Sequence, residues 1–176
     1  ISETVGPAQR DVIQTGTLID ERYVVEKCVG EVGMGMVYRV RDLRMSRTIA
    51  LKTVKGMFDE DSRAGKRFLR EAQVMAALTH PGVVRVFDFG VIDAQVAYLA
   101  MELLTGMTLG ARLDQAGRLT TDESCSIACQ VLATLSVIHN TGFVHRDLKP
   151  ANVFLSDMGG GRLVKLLDFG LSRETR

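Results

Sequence analysis

Short apolar runs, many with the two-residue alternation of β-strands, fill much of the chain between residues 23 and 101. They predict five strands, over residues 23–25, 36–40, 48–54, 83–89 and 96–101. The runs are separated by turn residues rather than by long helices, which favours an antiparallel sheet.

One segment within this region has a helical period instead. Phe68, Ala72, Met75 and Thr79 recur at helical spacing, with charged residues on the opposite face. We therefore expect one helix over residues 61–79, which the pair at 81–82, proline followed by glycine, terminates.

A second organisation begins after residue 105. Thr120 followed by Glu123 is a capping box that predicts the start of a helix, and Gly142 is placed to end it. The helix carries an apolar stripe: Ile127, Val131, Leu135 and Ile138. Two short apolar runs then flank a glycine-rich turn at 157–161 and predict a hairpin.

Composition and charge add few constraints. The chain has 176 residues, of which 46% are apolar and 24% charged, as in packed globular proteins. A formal net charge of +1 argues against nucleic acid as a partner. No run approaches the ~20 apolar residues of a transmembrane helix, and no signal peptide is evident. The question of a membrane anchor after residue 176 stays open.

The cysteines indicate the compartment. Cys28, Cys125 and Cys129 are odd in number and lack metal-like spacing, which favours a reducing cytoplasm over a disulfide framework. We expect Cys125 and Cys129, four residues apart on the predicted helix, to be buried as small apolar groups.

Four polar signals occur in order along the chain. The first is the glycine cluster Gly30-Glu-Val-Gly33-Met-Gly35 between two strands, where backbone N–H groups can approach phosphate oxygens. The second is Lys52, which interrupts an apolar strand, together with Glu71 on the apolar face of the helix. Alone, the glycine cluster is equally compatible with an ordinary turn, and the pair Lys52 and Glu71 fits two unrelated solvated surface charges better than a site.

The third signal is the loop His145-Arg-Asp147-Leu-Lys149-Pro-Ala-Asn152, in which the proline prevents a regular helix. A loop this polar between apolar elements is commonly a functional site. The fourth signal is Asp168-Phe-Gly at a strand end, where a carboxylate beside glycine is a suitable ligand for a hard cation.

Taken together and in this order, the four signals resemble the signature motifs of protein kinases, over residues 17–176. Lys149 two residues after Asp147 resembles the Ser/Thr class, and the glycine-loop sequence is most similar to bacterial kinases of eukaryotic type. The resemblance implies an α+β fold of two lobes: a five-stranded antiparallel N-lobe sheet with one helix, and an incomplete, mainly helical C-lobe. We expect a leader over residues 1–16, the N-lobe and hinge over 17–104, and part of the C-lobe over 105–176.

The resemblance also assigns roles. It implies ATP and Mg²⁺ as cofactors and a protein Ser/Thr hydroxyl as acceptor, with dimerisation a further expectation. Asp147 would accept the hydroxyl proton, Lys149 would stabilise the transferring group, and Lys52, held by Glu71, would contact the phosphates. Asn152 and Asp168 would bind Mg²⁺. The residues implied in nucleotide binding, besides Lys52, are Gly30, Val32, Gly33, Gly35, Val37, Ala50, Met101 as gatekeeper, Glu102, Leu104 and Phe154.

Two departures from the family pattern stand out. Val32 occupies the position of the middle glycine, and its β-branched side chain would stiffen the loop. The sequence also ends six residues after Gly170, so we expect the apolar stripe of the second helix to be left uncovered and these residues alone to be a poor enzyme.

Two other functions stay open at this point. A pseudokinase would keep the fold without catalysis, and Val32 is the one feature that favours it. A small-molecule phosphotransferase of related fold is disfavoured by the Lys149-Pro150 pair. Transfer of labelled phosphate to a protein or to a small alcohol would separate these readings.

Overall fold

The strands and helices of the chain follow its hydrophobic pattern closely. The computed structural model describes residues 12–32, 35–55, 63–92, 96–157 and 162–167. The strands are β1 (Leu18–Ile19), β2 (Tyr23–Val32), β3 (Gly35–Asp42), β4 (Arg47–Lys55), β5 (Val86–Ile92), β6 (Val96–Met101), β7 (Gly106–Thr108), β8 (Val153–Asp157) and β9 (Arg162–Leu166). The helices are α1 (Arg63–Ala77), α2 (Leu109–Ala116) and α3 (Thr121–Asn140), with a 3₁₀ turn at Pro150–Asn152.

The N-terminal part forms one antiparallel sheet with the strand order β1-β2-β3-β4-β6-β5. Five of these strands are those expected from the sequence. The sixth, β1, is only two residues long and pairs with the start of β2. Two residues are too few to show an alternating pattern, which is why the sequence did not reveal this strand.

The two faces of this sheet cover two different cores. Tyr23, Tyr38, Leu51 and other residues of one face form a cluster within the curled sheet. On the other face Val54 and Leu99 pack with α1, through Phe68, Ala72 and Met75. Because Lys52 lies two residues before Val54 in β4, it faces this second side, which α1 covers.

The helix α1 ends at Ala77, two residues earlier than expected. Thr79, predicted as part of its buried stripe, is exposed, and Leu78 is buried in its place. The chain leaves the helical path at this point, so the helical spacing no longer decides which side chain faces the core.

A buried ion pair joins the turn between β1 and β2 to the end of β3. Arg22 donates two hydrogen bonds to Asp42, whose side chain is fully buried, and a third to Asp88. The amides of Arg44 and Met45 also donate to Asp42. The hydrogen bond from Arg22 lowers the pKa of Asp42, so the carboxylate stays ionised although it is buried.

The C-terminal part combines α2 and α3 with a small sheet of order β7-β8-β9. The predicted start of α3 is confirmed: Thr120 caps it by accepting from the amide of Glu123 at 3.2 Å. Its predicted end is confirmed as well, because Gly142 follows the helix with a positive φ of 77°. β8 and β9 form the expected hairpin, whose turn residues 158–161 lie outside the described residues.

Two expectations about α3 are wrong. Its stripe is not left uncovered: Ile127 and Ile138 are buried, and Val131 and Leu135 pack against the same cluster, which includes residues of α1, β8 and β9. Cys125 and Cys129 are exposed rather than buried. The apolar stripe faces the core, and the cysteines lie on the opposite side of the helix, which explains both results.

The two parts of the chain meet at the segment before β5. Leu166 of β9 donates to the carbonyl of Gly82 at 2.8 Å and forms a parallel bridge with Val83. A Cβ at Gly82 would overlap the hydroxyl of Thr134 in α3, so only glycine allows this close approach. The polar loop after α3 therefore lies next to the first sheet.

Candidate active site

The polar loop predicted from the sequence is organised around the carboxylate of Asp147. Its Oδ2 accepts a hydrogen bond from Lys149 Nζ at 2.8 Å and another from Asn152 Nδ2 at 2.9 Å. The same Nδ2 donates to the backbone carbonyl of Asp147 at 2.8 Å. Asn152 is buried and the side chain of Lys149 is half exposed, so the Asp147 carboxylate, whose side chain is 19% exposed, lies at the boundary between interior and solvent.

The loop is held to Leu167, the residue directly after β9, by one side-chain contact and one backbone contact. The buried imidazole of His145 contacts the carbonyl of Leu167 through Nε2 at 2.8 Å. Leu167 N–H in turn donates to the carbonyl of Asn152 at 2.9 Å. Between these anchors Arg146 has a positive φ of 61°, a conformation that costs energy for a non-glycine residue. Leu167 directly precedes Asp168, which lies outside the described residues.

Lys52 and Glu71 belong to elements that pack together. Lys52 is buried in the middle of β4, with Val37 of β3 and Leu99 of β6 as its cross-strand neighbours. Glu71 is half-buried on α1, one residue before the fully buried Ala72. Their direct ion pair remains a prediction.

The glycine cluster spans the end of β2 and the start of β3. Val32 pairs with Gly35, and Gly33 lies outside the described residues. Gly30 and Gly35 differ in their surroundings. A Cβ on Gly35 would overlap the backbone oxygen of Thr53 in β4, whereas a Cβ on Gly30 would have no neighbour within 4 Å. Gly35 is therefore needed for packing, and Gly30 borders open space.

The residues expected around adenine lie on one face of the first sheet, on β8 of the second sheet, and on the hinge, residues 102–105, that joins β6 to β7. Ala50 of β4 is paired with Met101 at the end of β6. The amide of Glu102 donates to the carbonyl of Arg85 at 3.0 Å, so the Glu102 carbonyl is the backbone group that would accept from the base. Val37, Leu104 and Phe154, also expected around the base, are half-buried.

The amide of Asn152 is suited to a hard cation. Both of its hydrogen bonds use Nδ2, so its oxygen Oδ1 is the atom that would bind Mg²⁺. The second expected ligand, Asp168, lies outside the described residues. Among the described residues, no group of three His, Cys, Asp or Glu side chains lies close enough together to hold a metal ion.

Comparison with known proteins decides the family. The model of the protein kinase domain matches residues 23–176. The chain belongs to the protein kinase family. Its α+β architecture, with a sheet-rich N-terminal part and α3 beneath it, is the protein-kinase fold. The fold class expected from the motifs is therefore confirmed, with six strands in the first sheet in place of five.

The similar kinases are bacterial. The chain is 38% identical over 163 residues to the probable serine/threonine-protein kinase PknB of Lactococcus lactis, covering 92% of this chain and 25% of that protein. It is 34% identical to the serine/threonine-protein kinase PknA of Mycobacterium tuberculosis, covering 91% of this chain and 37% of PknA. The chain thus spans a quarter to just over a third of the length of these two relatives.

A solved kinase structure has the same fold. The Mycobacterium tuberculosis PknI kinase domain superposes with a TM-score of 0.80 at 32% identity, over 92% of this chain and 64% of that one. No helix among the described residues is long and apolar enough to cross a bilayer.

One side chain of this candidate site was not identified from the sequence. Lys165 of β9 is buried, and its Nζ donates to Oε1 of the hinge residue Glu102 at 2.6 Å. A signal was present, because Lys165 interrupts an apolar run just as Lys52 does. Its partner was out of reach of the sequence, since the two residues are 63 positions apart.

Proposed function

We propose that the full-length protein transfers the γ-phosphoryl group of ATP to a Ser or Thr hydroxyl of another protein. The observation that carries the proposal is the Asp147 carboxylate, held by Lys149 at 2.8 Å and by Asn152 at 2.9 Å. Phosphoryl transfer depends on positioning and charge neutralisation more than on covalent chemistry, and this loop supplies a fixed proton acceptor beside a cation.

Each residue of the loop has a defined task in this proposal. Asp147 accepts the proton of the substrate hydroxyl as the hydroxyl oxygen attacks phosphorus. Lys149 lies within hydrogen-bond distance of Asp147 and carries the positive charge that stabilises the group in transfer. The two hydrogen bonds from Asn152 keep the carboxylate of Asp147 from rotating.

The nucleotide would lie between the first sheet and this loop. Val37, Ala50, Met101, Leu104 and Phe154 would enclose the base, with the carbonyl of Glu102 and the amide of Leu104 as its hydrogen-bond partners. Gly30, Val32, Gly33 and Gly35 would cover the phosphates, and Lys52, oriented by Glu71, would neutralise two of them. Mg²⁺, bound by Asn152 and Asp168, would supply charge neutralisation at the phosphate oxygens.

The remaining expectations fit this proposal. The change from the six-stranded sheet to the β7-β8-β9 sheet falls at the hinge, which supports a division near residue 104. Cys28, Cys125 and Cys129 are exposed free thiols, which supports a reducing cytoplasmic location. Dimerisation stays an expectation from the resemblance alone.

The test is transfer of labelled phosphate from ATP by the full-length protein. A mixture of dephosphorylated cellular proteins serves as one acceptor and a series of small alcohols as the other, with acid hydrolysis to identify the modified residue. Label on protein serine or threonine supports the proposal. Nucleotide binding without transfer would identify a pseudokinase, and label on the small alcohols alone would identify a small-molecule phosphotransferase.

A further inference from the structure

The hinge residue Glu102 is held by side-chain contacts that its expected role does not require. Its Oε1 accepts from Lys165 Nζ at 2.6 Å and from the amide of Arg85 at 2.8 Å. Its own amide donates to the carbonyl of Arg85 at 3.0 Å. Glu102 is thus tied to Arg85, in the segment directly before β5, by two bonds and to β9 by an ion pair.

The ion pair is well shielded from solvent. The side chain of Lys165 is only 9% exposed and that of Glu102 27% exposed. A buried lysine is rare unless it is paired, because removal of the ammonium from water is unfavourable. The attraction between Lys165 and Glu102 therefore orients the lysine toward the hinge. Other orientations would leave a buried ammonium without its partner and are unfavourable.

Lys165 also lies next to the expected base-binding surface. It is the direct cross-strand partner of Phe154, so both side chains are on one face of the β7-β8-β9 sheet. The same strand carries Leu166, which is bonded to Gly82. Two neighbouring residues of β9 thus fix its position: Leu166 is bonded to Gly82, and Lys165 is paired with the hinge residue Glu102.

We propose that Lys165 is a positioning residue for the nucleotide, and that its ion pair with Glu102 holds the hinge carbonyl in register with the base. This rests on the proposed function, because it assumes that the hinge binds adenine. Without the pair, the contacts that Glu102 keeps in the described part of the chain are its two hydrogen bonds with Arg85. The hinge and Phe154 can then shift relative to each other, and contacts on the two sides of the base are no longer optimal together.

The experiment compares Lys165→Met with wild type in the full-length protein. Binding of adenosine and of ATP is measured by titration calorimetry well below the melting temperature, and kcat and KM are measured with a phosphate acceptor. We expect Kd for adenosine and for ATP to rise by the same factor, about three- to tenfold, because the defect concerns the base alone. KM for ATP should rise similarly, with kcat at saturating ATP within about twofold of wild type.

Arg162→Met is the matched control. Arg162 lies three residues earlier in β9 and also forms a 2.6 Å ion pair, with Glu123, but away from the hinge. Its loss should leave both Kd values unchanged. A role in stability alone would lower the melting temperature of Lys165→Met and leave Kd of the folded protein unaltered.

Two results would overturn the proposal. An adenosine Kd equal to that of wild type would show that the pair does not position the base, and a rise in kcat on loss of the pair would show that it restrains the enzyme instead. If Lys165→Met does not fold, the double variant Lys165→Met/Glu102→Gln, which buries no unpaired charge, is compared in the same way. Failure of the wild type to bind adenosine would reject the proposed function itself, whereas binding by wild type with no difference in the variants rejects only the role of Lys165.

Discussion

Asn152 donates from a single side-chain nitrogen to both the backbone carbonyl and the carboxylate of Asp147, at 2.8 and 2.9 Å. The amide thus fixes the position of Asp147 and the orientation of its carboxylate at once. Because Asn152 is buried, it has few alternative orientations, so the carboxylate is held before any substrate arrives.

Asp147→Asn should lower the turnover of the full-length kinase by at least about a hundredfold, the usual scale for loss of a general base. The amide keeps the size of the side chain but cannot take a proton at neutral pH. Nucleotide affinity, measured by calorimetry, should be little changed. Asp114→Asn, at an exposed position of α2, is the control. Near-normal turnover in Asp147→Asn would show that another group accepts the proton.

Lys52 and Glu71 should act as a pair in catalysis. Lys52→Met should lower kcat/KM by about a hundredfold, as for loss of one electrostatic contact in a site. Glu71→Gln should cause a smaller loss, and the double variant should be no worse than Lys52→Met alone. Lys27→Met, an exposed lysine on β2, is the control. Strictly additive effects in the double-mutant cycle would argue against the pair.

Val32→Gly should tighten ATP binding by the full-length kinase, because a glycine at this position lets the turn after β2 adopt more conformations over the phosphates. Only the sign is predicted. Titration of ATP is the measurement, and titration of adenosine is the control, since adenosine has no phosphates. Equal or weaker ATP binding would mean that Gly33 already provides the required freedom.

Gly30→Ala and Gly35→Ala should separate binding from packing within one hairpin. At Gly35 the new methyl group would overlap the Thr53 backbone oxygen, so we expect a loss of about 1 to 3 kcal/mol in the free energy of unfolding. At Gly30 the methyl group meets nothing within 4 Å, so stability should change by less than about 0.5 kcal/mol. ATP binding should nevertheless weaken in Gly30→Ala. Equal stability losses in a denaturant titration would contradict this division.

The buried pair of Asp42 and Arg22 should make stability depend on acid pH. The pKa of Asp42 is lowered by its hydrogen bond from Arg22, so its stabilising contribution is complete above the unfolded value of about 3.9 and is lost as the pH falls below it. Asp42→Asn should cost about 3 to 5 kcal/mol at pH 7 because it leaves Arg22 without its buried partner charge.

The measurement is denaturant unfolding at pH values from 3 to 7. The difference between wild type and Asp42→Asn should shrink toward the acid end, since below about pH 3.9 the unfolded wild type binds a proton that the folded protein, with its lowered Asp42 pKa, does not bind. Asp157→Asn, an exposed position at the end of β8, should follow wild type throughout. A difference that is constant with pH would show that packing, and not the charge of Asp42, accounts for the loss.

The sequence alone determined the order of elements and most of the candidate site. Alternation and helical spacing depend only on neighbouring residues. Among the described residues they located β2 to β6, β8, β9, α1 and α3 but not β1, β7 or α2, and the capping box located the start of α3. The polar loop and Lys52 were recognisable from the sequence because each places charges in or between apolar segments, where a charge requires an explanation.

Tertiary structure alone decided which surfaces meet. The stripe of α3 is covered because β8, β9 and α1 pack on it, and no local pattern contains that information. The need for glycine at position 35 comes from Thr53 on another strand. Lys165 reaches Glu102 across 63 residues of sequence, and an ion pair depends on the distance between two atoms in space. The sequence marked Lys165 as unusual, but only the fold supplied its partner.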